Sequence, residues 1–209
     1  MTDATDLTSP TVLVRELNHR VKNNFQIILS LMNLRKRNLP PEQHDDMRFI
    51  EEHVQAMSVA YRLVYASGSI DEVSPTALVT DVLSGLRQVA GLGDEQLRIE
   101  ASVLEVSIGL DHALALALYL AILLPPYLDA AAATAGTVTV RVTISANLLT
   151  LWVDGISAAP TDFDSLRARL MHAYAWQLNG EIIPATGDRA AQLQFAPTRG
   201  LIPAASRLE

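Results

Sequence analysis

Two long stretches with helical apolar spacing, joined by a short proline-containing turn, most constrain the fold of this chain. In residues 11–37 and again in 42–66, apolar side chains alternate steps of three and four, which gathers them on one stripe of a helix. Residues 38–41 read Asn-Leu-Pro-Pro, and the paired prolines end one helix before the next begins. The pattern predicts an antiparallel helical hairpin.

The apolar stripes of this predicted hairpin need a partner. A lone hairpin leaves part of each stripe in water, whereas two copies packed as a four-helix bundle cover both, so the sequence predicts a homodimer. Asn24 interrupts the first stripe, where it either fixes the register of the bundle or lies at the edge of the seam. The stripes consist of Val14, Leu17, Val21, Asn24, Ile28 and Leu31 in the first helix, and of Met47, Ile50, Val54, Met57, Tyr61 and Val64 in the second.

Beyond residue 68 the pattern changes to a mixture of helices and short strands. Ser74-Pro75 is a typical helix start, with serine as the cap and proline in the first turn of a helix that reaches about residue 89. Further helices are predicted at 110–131 and 161–178, and strands at 97–101, 105–108, 137–144, 148–154, 181–184 and 191–195. The predicted fold class is α+β: a flexible lead-in over 1–10, the hairpin over 11–68, and an α/β sandwich of helices on one antiparallel-rich sheet over 69–209.

The composition argues against several classes of function. The 209 residues include no cysteine, which rules out disulfides, thiolate metal sites and cysteine nucleophiles. A formal net charge of −7 argues against general nucleic-acid binding. The apolar run 113–128 is shorter than the roughly 20 residues of a membrane span, and Pro125-Pro126 interrupt it, so we expect a buried helix. We also expect no signal peptide, no membrane partner and a cytoplasmic location.

One ridge of the first helix carries polar side chains that suit phosphoryl chemistry. Its members follow one another at steps of three and four residues and therefore share one side of the helix. An exposed histidine there is nucleophilic near neutral pH, and neighbouring cations favour an anionic phosphoryl group. The ridge consists of Glu16, His19, Asn23, Gln26 and Ser30, and Arg20 and Lys22 flank it.

This ridge resembles a known motif. The residues Glu16-x-x-His19-Arg20-x-Lys22-Asn23-Asn24-x-Gln26 are similar to the phosphoacceptor box of the HWE-type sensor histidine kinases, roughly E-x-x-H-R-x-K-N-x-x-Q. The resemblance implies that the hairpin is a dimerisation and phosphotransfer module and that His19 is the phosphorylated residue. It continues more weakly over 70–196, where the family has its Bergerat-type ATP-binding domain.

The ATP-binding half departs from this family at the metal-binding helix. There the family carries an N-E-L-x-x-N-A-x-K-like box, whose asparagine holds magnesium against the nucleotide phosphates. Residues 120–127 of this chain, Leu-Ala-Ile-Leu-Leu-Pro-Pro-Tyr, fall on that box, with Ala121 and Pro126 in place of the asparagines. Neither side chain can bind a hard cation, and Pro126 also interrupts the helix.

Two glycine motifs of the family are also altered. The adenine-binding D-x-G-x-G turn falls on 154–158, where Asp154 and one glycine remain. The phosphate-covering G-L-G-L loop falls on 165–168, in a register anchored by the Gln-Leu-Asn-Gly-Glu stretch at 177–181. Ser165 and Arg167 replace the glycines that let backbone approach phosphate, and the loop is expected to shorten into the start of a helix. We therefore expect a degenerate nucleotide site in a retained fold.

The motif residues have both functional and ordinary interpretations. Glu16 is a candidate acid–base partner of His19, and Asn23 a candidate for positioning a water or the incoming acyl phosphate. Arg20 and Lys22, with Gln26, are candidates for contacting the phosphoryl group or a partner. The ordinary interpretation of each is a solvated helix surface. The remaining histidines lack such neighbours, no metal cluster is indicated, and we expect surface or capping positions for His44, His53, His112 and His172.

These features predict a histidine phosphotransferase of a bacterial phosphorelay. His19 would exchange a phosphoryl group with receiver-domain aspartates of response regulators, without ATP. The chain itself is expected to bind no cofactor, because the receiver brings its own Mg²⁺. Two alternatives stay open: an ATP-dependent sensor histidine kinase with an atypical nucleotide site, and a non-catalytic receiver-binding or phosphatase regulator.

Overall fold

The computed structural model describes residues 10–67, 73–103, 107–145, 148–156, 165–183 and 189–195. For 10–19, Lys22, Ser67, Ser165, Arg189 and Phe195 it describes the backbone alone. In chain order the helices are α1 (Pro10–Arg37), α2 (His44–Ser67), α3 (Pro75–Val89), α4 (Leu110–Leu123), α5 (Pro125–Ala132) and α6 (Ser165–Gln177). The strands are β1 (Leu97–Val103), β2 (Val138–Ile144), β3 (Leu148–Asp154), β4 (Gly180–Ile183) and β5 (Arg189–Phe195). The lead-in predicted over 1–10 lies outside the described residues except for Pro10, which begins α1.

Helices α1 and α2 form the predicted hairpin. A short 3₁₀ turn, Pro41–Gln43, precedes α2. The rings of Phe25 and Tyr61 lie 5.7 Å apart between centroids, and Lys36 Nζ lies 3.2 Å from a carboxylate oxygen of Glu51. One pair joins the middle of α1 to a late residue of α2, and the other joins the end of α1 to an early residue of α2, as an antiparallel hairpin requires.

The side of α1 that faces α2 differs from the predicted stripe. The partly buried positions of α1 are Val21, Phe25, Leu29, Met32 and Lys36. Of the predicted stripe, Ile28 and Leu31 are instead 42% and 61% exposed. The prediction of the helix is thus correct, but its face toward α2 lies about one position further along. The periodic pattern mixes residues that contact α2 with residues that face outward.

Helix α2 has a second buried side that the sequence analysis did not assign. Its C-terminal half contributes Ala56, Val59, Ala60 and Val64 to the same core as α3 and α4. Gly85 of α3 makes room for α2, because a Cβ atom there would lie 2.7 Å from the side-chain nitrogen of Gln55. The hairpin therefore shares a core with the following α/β part, and the domain boundary at residue 68 stays a prediction.

The α/β part is a layer of helices on a mixed five-stranded sheet of order β1-β2-β3-β5-β4. Strand β1 pairs with β2 in parallel, and the other neighbours are antiparallel. Buried and half-buried residues alternate along β2, so one face of the sheet is covered by helices and the other faces solvent. Of the strand predicted at 105–108, residues 107 and 108 are described, and Ile108 forms a single bridge with Val73.

Helix α4 is the central core helix, and its continuation in α5 follows a break at the prolines. Ten of its fourteen residues are buried. Leu110–Ala132 is long and apolar enough to cross a membrane by length and composition, but 72% of its most apolar window lies inside the protein. That burial is typical of a core helix.

Candidate functional site

The polar ridge predicted for α1 lies on an uninterrupted helix. No glycine or proline occurs between Thr11 and Arg37, and the helix ends with three basic residues, Arg35, Lys36 and Arg37, whose charge suits the negative end of the helix dipole. At 3.6 residues per turn the ridge positions lie about 140° around the helix from the positions that face α2. The motif is therefore carried on the side of α1 that points away from its hairpin partner.

The structure describes part of the ridge in side-chain detail. Arg20, Asn23 and Gln26 are exposed. The hydroxyl of Ser30 donates a 2.7 Å hydrogen bond to the backbone carbonyl of Gln26 and so turns back onto the helix. The side chains of Glu16, His19 and Lys22 lie outside the described part of the chain, so their proposed roles stay predictions.

The segment over the family's metal-binding box is buried and apolar. Leu120–Leu124 are essentially inaccessible. The amide of Leu124 donates to the carbonyl of Leu120 at the end of α4, and the carbonyl of Leu124 accepts from the amide of Leu128 at the start of α5. Tyr127 is also buried, and its hydroxyl donates a 2.9 Å hydrogen bond to the carbonyl of Ala190. These side chains fill the core between α4, α5 and β5.

The turn after β3 keeps one acid and one glycine of the adenine motif. Asp154 is exposed at the end of β3 and pairs with Thr139. Gly155 has a φ of 95°, and a Cβ atom there would lie 2.9 Å from the carbonyl oxygen of Thr137. Both constraints favour glycine. The residues that follow, 157–164, lie outside the described part.

The segment over the family's phosphate loop is helical. Ser165 begins α6, and Arg167 lies in its first turn. The backbone thus agrees with the expectation that this segment becomes the start of a helix. The guanidinium carbon of Arg167 lies 5.0 Å from the centre of the Phe49 ring on α2, a cation–π geometry.

Around Phe49 lies a charged cluster that the sequence analysis missed. Arg48 contacts Asp129 of α5 at 2.6 Å and Glu52 at 3.4 Å. Glu52 is only 3% exposed, and this burial raises the pKa of its carboxyl to about 7 against the opposing attraction of Arg48 and Arg167. In the sequence Glu52 reads as an ordinary polar position of an amphipathic helix, so no local signal marks it.

The surface or capping position expected for His53 is wrong. The ring is half-buried, its centroid lies 4.3 Å from that of Phe49, and its Nδ1 donates a 2.7 Å hydrogen bond to the Phe49 carbonyl. Burial lowers the pKa of His53 below its ordinary value. His172 is exposed, and His44 bonds the carbonyl of Leu39 before α2. His112 is also half-buried, and its Nε2 lies 3.4 Å from the side-chain nitrogen of Asn179.

The segment that carries the ridge and the hairpin matches a family model. Residues 16–90 match the family model HisKA_2, described as histidine kinase. Over that segment the chain is similar to histidine kinases. This match agrees with the resemblance of the α1 motif to the HWE-type kinases.

Solved structures show the same fold over most of the chain. The histidine kinase domain of the blue-light activated histidine kinase from Erythrobacter litoralis EL346 is similar with a TM-score of 0.59 at 16% identity, over 90% of this chain and 92% of that one. The longer structure of that kinase gives 0.55 at 20% identity, over 96% of this chain and 66% of the other. No curated protein matches the chain significantly.

Proposed function

We propose that this protein is a histidine phosphotransferase of a two-component phosphorelay, which passes a phosphoryl group between receiver-domain aspartates through His19. The observation that carries the proposal is a family-matched phosphoacceptor helix in a chain whose metal-box segment is an inaccessible apolar core. A helix of leucine, alanine, isoleucine and proline side chains offers Mg²⁺ no oxygen ligand. Phosphoryl transfer from ATP depends on magnesium and aligned donors for most of its rate.

The proposed reaction needs little from this chain beyond a positioned imidazole. A neutral ring nitrogen of His19 attacks the phosphorus of the aspartyl phosphate. The N–P bond forms, the P–O bond to aspartate breaks, and the aspartate leaves as a carboxylate. The proton on the other ring nitrogen shifts toward Glu16, which offsets the charge that the ring acquires. The receiver supplies Mg²⁺, so this chain holds no cofactor of its own.

The remaining ridge residues complete the docking surface. Arg20 and Lys22 lie on either side of the histidine position and would attract the anionic phosphoryl group or the acidic pocket of the receiver. Asn23 and Gln26 are exposed on the same ridge and are suited to hydrogen bonds across the interface. The partner is thus a response-regulator receiver domain. The chain's negative charge does not favour nucleic acid as a partner, and we place the relay in the cytoplasm, away from membranes.

A homodimer forms part of the proposal. The outward side of the hairpin exposes large apolar side chains next to the ridge, and exposed apolar stripes of this kind mark interfaces. Pairing two copies into a four-helix bundle would cover them. The residues concerned are Ile27, Ile28, Leu31, Leu34 and Ile50.

An ATP-dependent histidine kinase is the second candidate. The family match favours it, and it requires the α/β part to deliver a nucleotide phosphate to His19. In this structure α5 and the start of α6 contact α2 near the end of the hairpin where Lys36 of α1 pairs with Glu51 of α2. That level is about 25 Å along α1 from residue 19, at roughly 1.5 Å per residue. The separation supports a protein donor over a nucleotide donor.

Two parallel incubations test the proposal. The protein is mixed with γ-labelled ATP and Mg²⁺, and separately with receiver domains charged with ³²P from labelled acetyl phosphate. We expect label only in the second incubation, and none in His19→Ala. The control is His172→Ala, which removes an exposed histidine of α6 and should label normally.

Two outcomes of these incubations would contradict the proposal. Labelling of His19 by ATP refutes the ATP-free relay and favours the kinase. A receiver that loses phosphate equally fast with wild type and with His19→Ala shows a regulator that acts without phosphohistidine.

A further inference from the structure

Charged and aromatic side chains join α2 to α5 and α6 at the end of the fold remote from the phosphoacceptor motif. Arg48 reaches across to Asp129 of α5 with a 2.6 Å contact between Nη2 and Oδ2. On its own helix Arg48 contacts Glu52 at 3.4 Å. Arg167 of α6 covers the face of Phe49. One surface of α2 thereby holds two separate helices of the α/β part.

Burial distinguishes this junction from an ordinary surface ion pair. Glu52 is almost fully buried, and within the described part of the chain its Oε2 has no hydrogen-bond partner. Burial disfavours its ionised form, whereas Arg48 and Arg167 both favour it. Charge pairs shielded from water are screened little by salt. Removal of one member leaves another buried without compensation, which is costly.

The two helices held here are those that follow the altered nucleotide motifs. Helix α5 begins within the segment that falls on the metal box, and α6 begins with the segment that falls on the phosphate loop. Arg167 itself occupies a position where the family has a glycine, and it lies over an α2 side chain. A phosphate-covering loop must move to admit and release nucleotide, whereas this segment is helical and attached to the hairpin.

We propose that the junction of Arg48, Phe49 and Glu52 with Asp129 and Arg167 is an intramolecular clamp that locks the α5–α6 end of the α/β part onto the hairpin. The clamp goes beyond the proposed phosphotransfer, since it concerns the mobility of the α/β part whichever donor serves His19. It fixes α5 and α6 at a level about 25 Å from the phosphoacceptor position along α1. The rest of the interface, where α2 packs on α3 and α4, is a continuous apolar core and needs no such device.

The absence of cysteine from the sequence allows a direct test by paired spin labels. Asp46 of α2 and Arg169 of α6 are exposed and lie outside the clamp contacts, so D46C/R169C reports the separation of the two helices. We expect one narrow distance distribution in the otherwise wild-type protein. In Arg167→Gln and in Asp129→Asn the distribution should broaden toward longer distances. Amides of residues 166–170 should exchange about tenfold faster, as expected when a local closed state is weakened.

A matched control separates the clamp from any loss of an ion pair on α2. Arg62 of α2 contacts Asp81 of α3 at 2.8 Å, and Asp81→Asn should leave the distance distribution and the exchange at 166–170 unchanged. Exchange at β2 and β3 serves as the fold check in every variant. If Arg167→Gln unfolds the chain, Asp129→Asn still tests the clamp, because Asp129 lies at a partly exposed position. The clamp is refuted if the distribution stays narrow in the folded clamp variants, or if Asp81→Asn broadens it equally.

Discussion

Glu52→Gln should change how the stability of the protein depends on pH. The carboxyl of Glu52 is buried beside two arginines, and its pKa of about 7 in the folded state shows that the cost of burying the charge exceeds what the arginines return. Because the folded state holds the proton more tightly than the unfolded chain, the stabilising contribution is complete below pH 4.5. It is lost as the pH rises through the folded-state pKa.

The magnitude follows from the two pKa values. Between the ordinary pKa of 4.5 and about 7, linkage at 1.36 kcal/mol per pH unit amounts to about 3 kcal/mol of unfolding free energy. Glutamine has nearly the same shape and does not ionise. The free energy of unfolding of Glu52→Gln minus that of wild type should therefore be constant below pH 4.5, rise by about 3 kcal/mol up to pH 7, and then level off.

Urea denaturation at a series of pH values between 4 and 8.5 measures this difference. His53 contributes in the opposite direction, because its lowered pKa makes stability fall as the pH drops below the ordinary histidine value, but it is present in both proteins and cancels. Glu42→Gln, at an exposed position before α2, controls for the loss of one negative charge. A difference that is flat over this range, or that falls as the pH rises, refutes the assignment of a buried, proton-binding carboxyl.

Two further predictions concern the backbone and the assembly. Gly155→Ala should lower the free energy of unfolding by about 2 kcal/mol in urea denaturation, because the new Cβ meets the carbonyl of Thr137 at a positive φ. Gly91→Ala, at a positive φ with open space around it, should lower the free energy of unfolding less. Equal losses in the two variants would count against the close contact at Gly155. Leu31→Asp places a charge in the exposed apolar stripe and should shift the protein from dimer to monomer in sedimentation velocity. Leu166→Asp, at an exposed site on α6, should leave the dimer intact. A dimer that survives Leu31→Asp contradicts the proposed four-helix bundle.

Local sequence signals were sufficient to predict most of the helices and strands and their order along the chain. Apolar periodicity and the two prolines located the hairpin. Ser74 caps α3 as its position before proline predicts, accepting a 3.3 Å hydrogen bond from the amide of Ala77. Alternation over residues 137–154 located the β2–β3 hairpin. These signals are short in range, so a single sequence carries them completely.

Burial determined by distant packing was not predictable. Buried Glu52 and half-buried His53 lie next to Arg48 and Phe49, which contact side chains of α5 and α6 far along the chain. The alanines of α2 carry too weak an apolar signal to mark the same side as a contact surface. For the same reason the sequence did not show which residues of α1 face α2: an apolar residue indicates contact but does not name its partner.

The candidate site also has features that the sequence predicts and features that it does not. The polar types and their spacing around His19 are properties of the sequence, and the family match over 16–90 supports their interpretation. The helical state of the phosphate-loop segment was also expected from the sequence. The ion cluster at Arg48 was not, because its members come from α2, α5 and α6 and carry no shared motif.

The second buried side of α2 has a consequence for the architecture of the whole chain. A fragment ending at residue 67 would leave Ala56, Val59, Ala60 and Val64 uncovered, so the hairpin is not a unit that can be detached and reused by itself. The α/β part is therefore indispensable as the cover of this side of α2, whether or not it binds nucleotide. Such a scaffold is retained by its packing, whatever becomes of its original chemistry.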